Sequence, residues 1–127
     1  SSVPRVMTLP SNDTETDAAF PPSPIKGSER LVPIESWLEM FGETQATGVE
    51  FDEYWYGSVE AGVAYFFRWL DKPRATVLVV WNMEQPTHIE CRTIGDVLMA
   101  EIDTVPIVAE VTHLFRCAGF WRGQAVQ

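Results

Sequence analysis

Apolar positions in this chain fall into short blocks whose spacing changes from one block to the next. Within residues 33–41, Ile34, Trp37, Leu38 and Phe41 stand at i, i+3, i+4 and i+7, which predicts a short helix stopped by Gly42. Residues 45–56 read as a strand that carries the acidic cluster Glu50, Asp52 and Glu53. Residues 58–70 return to helical spacing through Val59, Val63, Phe66, Phe67 and Leu70, with Ser58 as N-cap and Pro73 just past the end. Residues 75–81 form a run, Ala-Thr-Val-Leu-Val-Val-Trp, rich in β-branched side chains and apolar on both faces. That run predicts a buried central strand. A turn at residues 84–87 leads to short strands around 88–94, 97–102 and 105–111. Residues 111–126 mix the two periods and fit either helix or strand.

Residues 1–30 fit neither period. They hold Pro4, Pro10, Pro21, Pro22 and Pro24 together with five serines, a spacing that forbids both a helix and a central strand. This stretch is expected to be an extended Pro/Ser-rich arm, ordered by lying on another surface, and residues 31–127 a β-rich globular domain. The resulting expectation is a mainly β fold, an antiparallel sandwich or jelly roll with one or two short helices and the extended arm. A compact α+β domain built around a helix at 58–70 is the alternative. The 127 residues suffice for one core, and the chain starts at Ser1, as a processed product or a fragment would.

Charge narrows the partners. Eighteen acidic residues against nine basic ones give a net charge of −9, and the acidity lies in the domain, where fourteen carboxylates face six basic side chains. A surface of that sign does not bind nucleic acid by counterion release, and sequence-specific nucleic-acid contact is not expected. The apolar runs fall short of the roughly 18 residues that a membrane span needs.

Four residues are candidates for metal chemistry. His88-x-x-Cys91 and His113-x-x-x-Cys117 contain every histidine and cysteine of the chain, and imidazole with thiolate is a zinc donor set. Against this, a strand at 88–91 turns His88 and Cys91 to opposite faces, so the four are expected to be structural, with free thiols and no bound metal or cofactor. A cysteine–histidine nucleophile pair is the corresponding catalytic candidate. The sequence has no nucleophile elbow, phosphate loop or dinucleotide fingerprint around it, and no catalytic residue is assigned. The aromatic residues, among them Trp37, Tyr54, Trp55, Tyr56, Tyr65, Trp69, Trp81, Phe120 and Trp121, read either as an aromatic core or as surface buried against partner chains.

Several of these stretches resemble one family. Residues 34–42, Ile-Glu-Ser-Trp-Leu-Glu-Met-Phe-Gly, are similar to the segment that opens picornavirus-type capsid proteins. Residues 57–69 resemble the short helix and aromatic stretch of that family, 75–81 its next long strand, and 113–123 an aromatic–Arg–Gly strand entry. The ends, Ser1 and Gln127, match the small-residue and Gln specificity of polyprotein processing in such viruses, and the family also carries Pro/Ser-rich arms. Lys72-Pro73-Arg74 departs from the family's glycine turn, and the chain is short for eight strands. The resemblance implies a virion protein, made in the host cytoplasm, that acts by symmetric assembly with other capsid chains and not by turnover. The alternative is an acidic stand-alone module that masks a basic partner, with Glu43, Glu50, Asp52, Glu53 and Glu60 as its contact face.

Overall fold

The computed structural model describes residues 18–120. Five strands form one antiparallel sheet in the order of the sequence: β1 (Leu31–Pro33), β2 (Ala64–Trp69), β3 (Ala75–Trp81), β4 (Pro86–Thr93) and β5 (Val97–Leu98). Three helices complete the fold: α1 (Trp37–Thr47), α2 (Glu53–Glu60) and α3 (Glu101–Cys117). The expected antiparallel sheet is present. The second sheet of a sandwich or jelly roll is not formed among the described residues, because both faces of the single sheet are covered by helices.

The reason lies in β2 and β3. Along β2, Tyr65, Phe67 and Trp69 enter one buried cluster while Ala64 and Phe66 enter another. On β3, Ala75, Val77, Val79 and Trp81 face the first cluster and Leu78 the second. Strands apolar on both sides require cover on both sides. Helix α3 supplies one cover through Ile107, Val111 and Phe115, spaced i, i+4, i+8. Helices α1 and α2 supply the other through Met40, Tyr56 and Val59, joined by Val49 and Phe51. The central placement of residues 75–81 agrees with the sequence expectation, with β2 paired on one side and β4 on the other.

Four local assignments differ from expectation. Helix α1 starts later than residue 33 because Ser36 is the better cap: its hydroxyl accepts from the Glu39 amide at 3.1 Å. The helix then runs through Gly42 to Gly48, whose left-handed φ of 79° ends it. Its buried stripe is Met40, Glu43 and Thr47, leaving Leu38 and Phe41 exposed. Residues 45–56 are the end of α1, a connection and the start of α2 instead of a strand. Residues 58–70 are the end of α2 and then β2: Gly62, at φ 80°, breaks the helix, and the apolar spacing arises because β2 is buried on both faces. Residues 105–111, expected as a short strand, lie within α3, whose inward stripe continues to Phe115. Pro106 removes only one hydrogen bond, to the carbonyl four residues back.

The described part of the arm belongs to the domain. Phe20 and Ile25 are buried, one in each cluster. The Phe20 amide donates to the Glu35 carbonyl at 2.9 Å, and the Trp37 amide to the Ala18 carbonyl at 3.1 Å. Arg30 spans outward to Asp71 at 3.3 Å and Glu110 at 3.1 Å, linking the chain before β1 to the β2–β3 turn and to α3. The expected boundary at residue 30 therefore cuts through packed structure; residues 1–17 lie outside the described residues.

One buried ion pair ties the helical layer to the sheet. The Glu43 carboxylate on α1 is 2% exposed and accepts from the Arg74 guanidinium at 2.6 Å and from the Thr76 hydroxyl. Arg74 also donates to the carbonyls of Ala75 at 2.7 Å and Trp69 at 3.3 Å. Removing Arg74 leaves the buried Glu43 carboxylate without its charge partner, and removing Glu43 orphans the Thr76 hydroxyl and the Arg74 charge it neutralises. Glu43→Ala and Arg74→Ala are each expected to destabilise the domain by about 3 kcal/mol, and the double variant by clearly less than the sum. Urea unfolding of the four proteins measures this; additive losses would show that the pair contributes no coupling.

Candidate interaction surface

The layer formed by α1 and α2 has an unusual charge pattern. From residue 31 to residue 67 the chain contains seven carboxylates and no lysine, arginine or histidine. Glu43 is turned inward onto Arg74 and is not part of any contact face, contrary to the sequence expectation. The other six, Glu35, Glu39, Glu50, Asp52, Glu53 and Glu60, are exposed. Of the acidic residues singled out from sequence, Glu50, Asp52, Glu53 and Glu60 are thus on the surface of one layer. Two of them have local duties: Glu39 accepts from the Glu35 amide at 2.8 Å, and Glu60 accepts from the Trp37 indole at 3.1 Å.

Exposed rings and apolar groups sit among these carboxylates. Tyr54, on the first turn of α2, is 69% exposed and meets Trp55 edge-on at 4.7 Å. Trp55 in turn stacks on the imidazole of His88 from β4, with centroids 6.1 Å apart and planes within 18°. Leu38, 57% exposed, adds an apolar group on α1. Beside this row, Arg92 is held between Glu90 at 2.6 Å and Asp96 at 3.0 Å, and its guanidinium lies 4.9 Å over the Phe51 ring. The Arg92 charge is therefore neutralised by its own chain. The Tyr54–Trp55–His88 row was not found from sequence, since its members come from two elements whose juxtaposition depends on the packing of α2 against the sheet.

The four metal candidates divide. His88 and Cys91 do point to opposite faces of β4, as strand alternation requires: His88 is exposed beside Trp55, and Cys91 is buried in the cluster under α3. His113 and Cys117 are one helical turn apart on α3, with Nε2 and Sγ at 3.5 Å, both exposed. Among the described residues, no group of three or more His, Cys, Asp or Glu side chains is placed to hold a metal ion.

Burial sets the chemistry of the two thiols apart. It pushes the Cys91 thiol up to about 12, with the neighbouring Glu90 charge adding to the effect. Tyr56 is likewise raised to about 12, by burial first and then by Glu50.

No protein-family model, curated protein or solved structure matches this chain. Its functional reading therefore rests on the surface itself. Trp121, and the remainder of the 113–123 stretch beyond Phe120, lie outside the described residues.

Iodoacetamide at mildly alkaline pH is expected to add one group to the native chain, at Cys117, and two after denaturation; intact-mass measurement reads this directly. Modification of native Cys91 would contradict its burial. The pH dependence has a defined sign. Both raised groups lose their protons more readily when unfolded, at about 8.5 for cysteine and about 10 for tyrosine. Stability should therefore fall as pH rises from about 9 towards 12, and Cys91→Ala should flatten the first part of that fall.

Proposed function

We propose that this chain acts by stoichiometric binding, presenting the acidic α1–α2 layer to a basic macromolecular partner. The observation that carries the reading is the segregation of charge: six exposed carboxylates over residues 31–67 with no basic side chain among them. Repulsion between like charges on one layer costs folding stability, and a complementary partner relieves it. Exposed Tyr54 and Leu38 supply what charge alone does not, aromatic and apolar area to bury at the centre of a contact. Carboxylates around such anchors steer association and reject acidic partners, and binding of this kind weakens with salt.

Assembly into a shell with sister capsid chains is the second reading. It is favoured by a separate feature, the exposed apolar side chains Ile102, Val105 and Val108 on α3. Apolar burial between chains responds little to moderate salt, so salt separates the two modes.

A Lys/Arg-rich peptide serves as the probe for the acidic layer. Its affinity should fall steeply with ionic strength, and the triple variant Glu50→Gln, Asp52→Asn, Glu53→Gln should weaken it about tenfold, from the summed loss of exposed charge interactions. Tyr54→Ala should weaken it as well. The control triple variant Glu29→Gln, Asp71→Asn, Glu84→Gln has the same net charge but leaves the layer intact. Equal loss in the control would reduce the effect to net charge and overturn the assignment of the layer.

A further inference from the structure

Helix α3 buries Ile107, Val111 and Phe115 and leaves a second apolar stripe facing outward. Ile102 is 74% exposed and Val105 58%, and Val108 is exposed beside them. An open groove of about 610 Å³ runs along this side of the helix, from Glu101 at the N-terminal end to Arg116 at the C-terminal end. The middle of the groove is lined by Val105, Val108, Ala109 and Thr112, all small enough for two helix backbones to approach closely.

We propose that this stripe is a homodimer interface, in which α3 packs antiparallel against α3 of a second copy around a two-fold axis between Val108 and Ala109. The argument is one of self-complementarity. An isologous contact places each residue against the one equally far beyond the axis. Under that operation Val108 meets Ala109 of the second copy, Val105 meets Thr112 and Thr104 meets His113, so the centre is built of small side chains with Val105, Val108 and Ala109 as its apolar part. Glu101 meets Arg116 of the second copy at both ends, about 22 Å apart along the helix at 1.5 Å per residue. The terminal pairs are opposite in charge. A parallel arrangement would instead oppose Glu101 to Glu101 and Arg116 to Arg116. The charges therefore select one orientation and one register, as flanking charges do in paired helices.

This inference goes beyond the acidic-layer reading and is independent of it, because α3 covers the opposite face of the sheet and the test contains no other partner. Sedimentation equilibrium of the full chain from micromolar to millimolar concentration should show a monomer–dimer equilibrium. Val108→Glu, which introduces a carboxylate on each side of the axis, should abolish the dimer. Glu101→Arg and Arg116→Glu should each raise the dimer Kd at least about tenfold, since each change creates two like-charge contacts. The double variant Glu101→Arg/Arg116→Glu should return Kd to within about threefold of the original, a rescue predicted only by the antiparallel pairing. These side chains are exposed, and circular dichroism confirms that each variant remains folded. A chain that stays monomeric throughout overturns the proposal. So does a dimer that survives Val108→Glu, and so does failure of the double reversal to rescue the singles.

Discussion

Strand β3 carries no solvent-facing side. Ala75, Val77 and Val79 are buried against α3, and Thr76 and Leu78 against the α1–α2 layer. A strand with that composition has to be central, and a sheet built on it has to be covered on both faces. The helices are the response to that constraint. Thr76 is the single polar group on the run, and its hydroxyl would be an orphan under α1 if Glu43 did not accept from it. Glu43 in turn would be an uncompensated buried charge without Arg74. The polar exception in the central strand thus determines which turn of α1 sits over it, and the ion pair works as a registry device more than as a source of net stability.

What could be read from the sequence follows from how many faces of an element are buried. Residues 75–81 agree with the sequence expectation because a β-branched run that is apolar on both faces, with Thr76 its one polar member, has few other solutions. The strand at residues 88–94 was placed within two residues of β4, and its alternation separated His88 from Cys91 as expected. Periodicity failed where two-sided burial erased it. In β2, Phe66 and Phe67 are both buried, on opposite faces, so helical and extended templates fit the same letters. It failed again in α3, where an exposed stripe of Val105 and Val108 runs beside the buried Ile107 and Val111 and mimics a strand. An element with apolar residues facing both a core and solvent has no single period. The jelly-roll expectation drew on the second of these errors and on the strand reading of residues 45–56, which turned helical segments into strands and left the sheet without cover.

The candidate surface was legible in part. Composition located the acidity and named four of the six exposed carboxylates, but it counted Glu43 among them. Nothing in the sequence distinguishes Glu43 from Glu39 except the position of its partner Arg74, thirty-one residues away. The ring row was beyond reach for the same reason: Trp55 and His88 meet only because β4 lies beside the start of α2. Long-range pairings of this kind follow from topology. Only after the sheet order is known does the chain's charge pattern become a pattern in space.

In space, the fold separates two kinds of surface. The acidic layer lies on one side of the sheet, and the apolar stripe of α3 on the other. For a chain with net charge −9, self-association costs electrostatic work that grows as like charges approach. Contact through α3 keeps the two α1–α2 layers on the far sides of both copies, a sheet and a helix away from the axis. With the Debye length at about 8 Å in physiological salt, charges separated by that thickness are largely screened. Contact through the acidic layers themselves would set six exposed carboxylates against six others at close range. The same geometry that lowers the cost of pairing leaves both acidic layers open and facing outward. A pair of this kind would engage a partner with repeated basic sites at an effective concentration that no single copy achieves.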